Sequence, residues 1–355
     1  MKTMEDITSG NISLLESMTR QSERPVIITH MKPDGDAIGS TTAMYRYIRS
    51  IGGNPKVVLN DSYPDYLSFL ITEDMREHLV TFDEKPEDAK EAIEGADLII
   101  CLDFNAFHRT DNLEKFLSGS TAKKILIDHH LNPDRECFDL IFSETEVSSA
   151  SELLYLILMA TERISGHAGN LPEGCAEALM TGMTTDTNNF ANSVYPSTLQ
   201  MASALLEAGV DRDAILNRLY NQFSENRFRL MGHMMKDLLT ITEDGVAYIV
   251  LDRKTQESYC VSEGDTEGFV NMPLSIASVR MSLLLKEDGD RIRVSIRSKK
   301  GTSANMCARK HFNGGGHENA AGGRLYIPEN VASIEDAGRY IETHTHTFLT
   351  EENGN

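Results

Sequence analysis

The stretch PVIITHMKPDGDAIGSTTAMYRYIRSIGGNPKVVLN, residues 25–60, reads as strand, loop, helix and strand in succession. PVIITH (25–30) is an unbroken apolar run of strand length. IGSTTAMYRYIRSIGG (38–53) reads as a helix ended by Gly52 and Gly53, and KVVLN (56–60) as the next strand. Working outward, PEDAKEAIEGA (86–96) reads as a helix, and DLIICLD (97–103) and KKILID (123–128) as strands. Helices are expected at 149–163, 173–182, 197–208 and 211–222, the last with Asp211 and Asp213 in its first turn. Strands alternating with helices imply parallel pairing. The expected fold is α/β, a parallel doubly wound sheet with helices on both faces.

The second half reads differently. ENRFRLMGHMMKDLL (225–239) is helical, with Met231, Met234 and Met235 placed for packing. VAYIVLD (246–252) is a strand, and SIASVRMSLLLKE (275–287) leads through the turn EDGD to RIRVSIRSK (291–299). In that last run Ile292, Val294 and Ile296 alternate with Arg293, Ser295 and Arg297, as in a half-buried strand. Ala304 to His311 reads as a helix, followed by NGGGH; 332–349 reads as a closing helix, and EENGN as a frayed end. The expected division is a first domain at 1–222, a linker helix at 223–240 and a second, smaller domain at 241–350.

Composition narrows the function. The chain has 355 residues, with 34 Lys+Arg against 54 Asp+Glu and a formal charge of −20. Proteins that coat long nucleic acids usually carry a basic face to displace counterions, so the net charge argues against a large phosphate footprint. It does not exclude a small phosphorylated ligand held by a few local cations. The longest strongly apolar run, LLYLILM (153–159), is far below the ~20 residues of a membrane helix. The first residues, MKTMEDITSGN, hold no apolar stretch of the signal-peptide kind. The five cysteines form no C-x-x-C pair and read as reduced residues of a cytoplasmic protein.

Ligands of open parallel sheets bind beyond the carboxyl ends of the strands, and acids and histidines gather there. ITHMKPDGDAIGS (28–40) puts His30 at a strand end and Asp34 and Asp36 in the following loop. Imidazole and carboxylate on one tight loop suit a divalent ion; the plain alternative makes Asp34 a turn former and helix N-cap. LIICLDF ends on Asp103, ILIDHH on Asp128, His129 and His130, and MTGMTTDTNNF carries Asp186 in a polar turn. Each could be an ordinary cap, turn or solvated loop. Together His30, Asp34, Asp36, Asp103, His129 and Asp186 suffice for two metals, and four carboxylates in one cleft need cations to offset their repulsion. In the second half, Gly314, Gly315 and Gly316 would let backbone N–H groups approach a phosphate, beside His317 and downstream of Arg297.

This ordered set resembles the DHH phosphoesterase family. Asp128-His129-His130 spells its name; H-x-x-x-D-x-D at 30–36, Asp103 and TTDT at 184–187 match its other motifs. RVSIRSK (293–299) and GGGHENAAGG (314–323) resemble its DHHA1 companion domain. The resemblance spans nearly the whole chain and is strongest to the branch of bifunctional oligoribonucleases and 3′-phosphoadenosine-5′-phosphate (PAP) phosphatases. RecJ-type exonucleases carry extra modules that this length does not hold.

The resemblance implies a DHH domain, a DHHA1 domain with a mixed sheet, and a cleft between them. It implies two Mn2+ ions, with Mg2+ or Co2+ as alternatives, and hydrolysis of short oligoribonucleotides and PAP by metal-activated water. His30, Asp34 and Asp103 would hold one ion and Asp36, Asp103, His129 and Asp186 the other, with Asp103 and His130 as catalytic residues. Arg297, Ser298, Gly314, Gly315, Gly316 and His317 would bind substrate. The implied partners are short RNA or small nucleotides, with no long duplex, no membrane, and a homodimer compatible with the family. A cyclic dinucleotide or pApA phosphodiesterase is the near alternative, and a catalytically inactive nucleotide-binding regulator the one of a different class. Inorganic pyrophosphatase shares the first-domain motifs but not the GGGH loop. Asn188 and Glu318 stand where many relatives have other residues. Arg109 is expected either to reach the cleft or to form a salt bridge. The other histidines, 78, 108, 167, 233, 311, 344 and 346, read as structural or surface residues.

Overall fold

A computed structural model describes residues 6–353 apart from positions 223 and 263. The chain divides after Gln222 into two compact units. The first is built on six strands: β1 (Pro25–Thr29), β2 (Lys56–Leu59), β3 (Leu79–Thr81), β4 (Leu98–Leu102), β5 (Lys123–Asp128) and β6 (Leu140–Ser143). They form one all-parallel sheet in the order β3-β2-β1-β4-β5-β6. The order reverses between β1 and β4, which defines the switch point where such sheets bind ligands. Its helices are α1 (Ser9–Gln21), α2 (Gly35–Ser50), α3 (Glu73–Arg76), α4 (Pro86–Glu94), α5 (Glu114–Gly119), α6 (Ala150–Met159), α7 (Cys175–Asp186), α8 (Pro196–Glu207) and α9 (Arg212–Tyr220).

Successive strand residues feed two different cores. Ile27, Ile100 and Ile125 pack with α2, α6 and α7 on one face. Val26, Ile28, Ile99 and Leu126 pack with α4 and α5 on the other. Both faces are covered, so the strands read as continuous apolar runs. Each fully buried Val, Ile or Leu contributes about 1.5–3 kcal/mol.

The crossing of α2 over α7 brings the site together. A Cβ on Gly39 would lie 2.6 Å from the Ala178 carbonyl oxygen and 2.9 Å from the Gly182 nitrogen. A Cβ on Gly182 would lie 2.0 Å from Ser151 Oγ and 2.8 Å from Asp36 Oδ1. The helix backbones meet almost in contact because neither glycine carries a side chain.

The second unit holds α10 (Glu225–His233), a π-helical turn at Met234–Leu238, and a six-stranded mixed sheet. Its strands are β7 (Thr240–Ile241), β8 (Val246–Leu251), β9 (Met281–Asp288), β10 (Arg291–Ser298), β11 (Gly315–Gly316) and β12 (Ala320–Tyr326), in the order β11-β12-β10-β9-β8-β7. Strands β8 and β9 pair in parallel and the other neighbours pair antiparallel. Helices α11 (Arg253–Ser258), α12 (Ala304–His311) and α13 (Ala337–Asn353) complete it. Ile292, Val294 and Ile296 are buried against α12 and α13, as the alternation in β10 requires. On the other face Leu230 and Met234 pack on Ile249, Leu251, Phe269 and Leu284, with Met231 and Met235 partly buried beside them. The segment read as a linker thus packs into the core of this unit. The expected fraying concerns a C-terminus whose α13 continues to Asn353; Gly354 and Asn355 lie outside the described residues. Among the described residues no helix is long and apolar enough to cross a membrane.

Candidate functional site

Four chain segments deliver their acids and histidines to one place at the switch point. His30 follows β1, Asp34 and Asp36 begin α2, Asp103 follows β4, His129 and His130 follow β5, and Asp186 ends α7. The donor atoms of His30, Asp34 and Asp103 lie within 4.8 Å of one another, and so do those of Asp36, Asp103 and His129. The two groups share Asp103. His30 Nε2 is 3.4 Å from Asp103 Oδ2 and 3.9 Å from Asp34 Oδ1. His129 Nε2 is 3.5 Å from Asp103 Oδ1, 3.5 Å from Asp186 Oδ2 and 4.0 Å from Asp36 Oδ2. All seven predicted residues of the first unit are therefore brought together.

Local structure explains each placement. Asp103 adopts a left-handed backbone with φ 62°, and its N–H donates to the Ile127 carbonyl at 3.1 Å. That conformation costs of order 1–3 kcal/mol for a non-glycine residue and is typical of functional sites. The His30 Nδ1–H donates to the Met31 carbonyl at 2.8 Å, which leaves Nε2 facing the carboxylates. Asp34 is also the N-cap of α2, its Oδ1 accepting from the N–H groups of Asp36 at 3.0 Å and Ala37 at 3.1 Å. The capping reading and the cluster reading of Asp34 are thus compatible.

Asp36 is held by a second helix. Its carboxylate accepts from the N–H groups of Ala150 at 2.6 Å and Ser151 at 2.9 Å, in the first turn of α6. The positive end of the α6 dipole stabilises a carboxylate there. The turn before α6 is tied down by buried Glu152, whose Oε2 accepts from Ser148 N–H at 3.0 Å and Thr198 Oγ1 at 2.6 Å.

Asp128 lies outside the predicted ligand set, and its task is visible only in three dimensions. It is fully buried, accepts from His130 Nδ1 at 2.7 Å and accepts from the His130 N–H at 3.1 Å. The pair fixes the orientation and tautomer of His130. The sequence signal was its place at the end of an apolar strand, before two histidines.

The electrostatics show a site short of positive charge. Burial raises the Asp36 carboxyl well above its ordinary range, and the charges of Asp103 and Asp186 raise it further. Asp186 is pushed up to about 7, by burial first and by Asp103 and Asp34 against the pull of His129. Burial also opposes ionisation of Asp103, but the imidazoles of His129 at 3.5 Å and His30 at 3.4 Å outweigh it and hold this carboxyl well below its usual range. Burial disfavours a charged His30, yet its hydrogen bond to Asp103 and the charge of Asp34 lift it to about 9. Asp103 Oδ1 is buried with no hydrogen-bond partner among the described residues. Carboxylates and imidazoles at this spacing, with an orphaned buried carboxylate oxygen, fit divalent cations.

The predicted residues of the second unit gather at one end of its sheet. Register pairs Arg297 with Ala320, and the Ser298 N–H donates to the Asn319 carbonyl at 3.0 Å, one turn from His317. Ser298 Oγ donates to the Thr302 carbonyl at 2.7 Å and accepts from Asn319 Nδ2 at 3.1 Å. The glycine run is a tight hairpin: a Cβ on Gly314 would fall 1.9 Å from the Gly322 carbonyl oxygen. The Gly316 N–H donates to Asn305 Oδ1 at 3.0 Å. Glu318 accepts from Ser303 Oγ at 2.9 Å, beside the start of α12. Asn188 takes a left-handed conformation with φ 46°, which asparagine tolerates well.

Family models for the DHH family, N-terminal domain, and for the DHHA1 domain match residues 24–183 and 243–340. Fold and site together define a hydrolase of phosphoric esters. The bifunctional oligoribonuclease and PAP phosphatase NrnA of Thermus thermophilus is 30% identical over 319 residues, covering 88% of this chain and 87% of that protein. The crystal structure of an exopolyphosphatase-related protein from Bacteroides fragilis matches with a TM-score of 0.88 and 34% identity, covering 98% of this chain and 99% of the other. RecJ from T. thermophilus in complex with Mn2+ shares the fold, with a TM-score of 0.57 and 16% identity over 95% of this chain and 54% of that one. The chain belongs to the DHH family and carries the DHHA1 domain as its second part.

Proposed function

We propose that the protein hydrolyses short oligoribonucleotides and PAP at a two-ion centre, with Mn2+ as the ion. The observation that carries this reading is the sharing of Asp103 between two triads, His30–Asp34–Asp103 and Asp36–Asp103–His129, with Asp186 3.5 Å from His129. The NrnA relative supports the substrates, and the Mn2+ of the RecJ complex supports the metal. His30, Asp34 and Asp103 would hold one ion and Asp36, Asp103, His129 and Asp186 the other. When bound, such ions make water nucleophilic near neutral pH and offset charge on the phosphoryl oxygens.

The protein groups supply the remainder. His130, oriented by Asp128, presents Nε2 to a phosphoryl or leaving-group oxygen and donates a proton to it. Asp36, gripped by the first turn of α6, keeps its carboxylate in one orientation and adds no reorganisation cost. Arg297 and His317, at one end of the second sheet, would bind the nucleotide, with Ser298 and Gly314 to Gly316 shaping their support. The charge of −20 disfavours long polymers and suits short substrates.

A panel of pApA, PAP, a short RNA and cyclic di-AMP, each with Mn2+ and with chelator, tests the reading. Mn2+-dependent release of mononucleotide or phosphate from the first three is expected. Cleavage of cyclic di-AMP alone, or of none of them, would overturn it.

A further inference from the structure

A short helical turn, Phe107–Leu113, follows the Asp103 loop and carries Arg109. Backbone and side-chain hydrogen bonds clamp this segment to both strand ends that bear the histidines. The Arg109 carbonyl accepts from the Met31 N–H at 2.8 Å, one residue beyond His30. On the other side Asn105 Nδ2 donates to the Leu131 carbonyl at 2.8 Å, and the Asp134 N–H donates to the Asn105 carbonyl at 2.9 Å, just past His130. Phe107 and Leu113 anchor the turn in the core, and buried Thr110 donates to the Phe107 carbonyl at 2.7 Å. Arg109 therefore stands on a rigid segment at the rim of the cluster.

Its side chain is half-buried, and among the described residues its guanidinium has no hydrogen-bond or ion-pair partner. The other partly buried arginines of this unit are engaged. Arg46 pairs with Asp74, Arg212 bonds Asn189, and Arg218 pairs with Glu177. The positive charge of Arg109 is felt at His30, where it opposes protonation. A guanidinium carries five donors in a planar fork that matches phosphate oxygens two at a time. Beside a cluster otherwise made of acids and histidines, an unpaired fork of this kind is ready for an anionic ligand. The salt bridge that was one expectation for Arg109 does not form among the described residues.

We propose that Arg109 is a phosphate-binding residue of the first unit, which holds non-bridging oxygens of a phosphomonoester or of the phosphoryl group under attack, on the His30 side of the cluster. The proposal deepens the phosphoesterase reading and rests on it for the identity of the substrate. An arginine here discriminates by geometry, because lysine offers the same charge without the bidentate fork.

Binding of AMP to the Mn2+-loaded full chain, measured by titration calorimetry, tests the proposal apart from turnover. Arg109→Ala and Arg109→Gln should weaken AMP binding tenfold or more, and Arg109→Lys should recover part of the loss. Mn2+ stoichiometry and affinity should match wild type. KM for PAP should rise with AMP dissociation, and kcat should change less. AMP affinity within twofold of wild type in both neutral variants would overturn the proposal, as would a loss of Mn2+ affinity large enough to explain the effect. If wild-type protein cleaves no phosphoester while AMP binding still depends on Arg109, the phosphate site stands and the hydrolase reading falls. Normal hydrolysis and normal AMP binding by Arg109→Gln would remove this proposal alone.

Discussion

Gly39→Ala tests whether the close crossing of α2 and α7 is what assembles the cluster. Alanine in a helix interior is usually preferred to glycine by about 0.5–1 kcal/mol. At Gly39 the new Cβ would sit 2.6 Å from one backbone oxygen and 2.9 Å from a backbone nitrogen, and neither belongs to a flexible side chain. Overpacking of this kind costs about 1–3 kcal/mol, so the net effect is a loss of up to roughly 2.5 kcal/mol. For a unit of this size that is a fall in Tm of up to roughly 10 °C. Restoring ordinary contact at 3.4 Å means moving the helices apart by about 0.8 Å. That exceeds the ~0.5 Å tolerance of a well-organised site. Asp36 rides on α2 and Asp186 on α7, so Mn2+ affinity should fall about tenfold. Thermal melts and Mn2+ titration of the purified protein read both effects. Gly232→Ala in α10 is the control, since a Cβ there meets nothing within 4 Å and should raise stability by about 0.5–1 kcal/mol. The reasoning is refuted if Gly39→Ala is stabilised like the control and binds Mn2+ normally.

Removing the Asp128 carboxylate in Asp128→Ala frees His130 to rotate, and kcat should fall about 10- to 100-fold with Mn2+ stoichiometry unchanged; Asp128→Asn, whose amide oxygen still accepts from Nδ1, should lose less. A steady-state comparison with Mn2+ at saturation checks this, and equal losses would count against the orienting role. His311 and His344 hold their Nδ1 atoms 3.2 Å apart between α12 and α13, and burial lowers both pKa values, with the charge of His344 further disfavouring that of His311. Because the unfolded chain takes up protons at these sites first, stability should be intact above about pH 6.5 and decline as the pH falls below it. Urea melts from pH 8 to 5 should show this decline, and His344→Phe should flatten it; identical slopes would sink the attribution.

The strands of the first unit were legible because they are buried on both faces. PVIITH, DLIICLD and KKILID fall within a residue of β1, β4 and β5. The three-residue β3 gives too short a pattern to separate from loop, the edge strand β6 is fully buried only at alternate residues, and strand order leaves no local trace. GGGH (314–317) read as a loop because glycine punctuates chains, yet Gly315 and Gly316 form β11 and pair with β12, where glycine is needed for backbone contact. The closing helix begins at Ala337 and not 332, after a short turn at Ile334–Asp336. In the site, chemically distinctive residues at strand ends were readable. The supporting parts were not: Ala150 and Ser151 act through backbone N–H groups, which any residue offers. Gly39 and Gly182 did leave a signal, as isolated glycines within helical runs that usually mark close packing.

Asp103 belongs to both triads and tests the central claim most directly. Asp103→Asn keeps the shape of the side chain and removes its charge. The measurement is Mn2+-dependent mononucleotide release from a short oligoribonucleotide, with bound Mn2+ counted on the same samples. The account predicts two ions and turnover for wild type, and fewer ions with turnover abolished for the variant. Near-wild-type turnover by Asp103→Asn, or undiminished wild-type turnover in chelator, would contradict it.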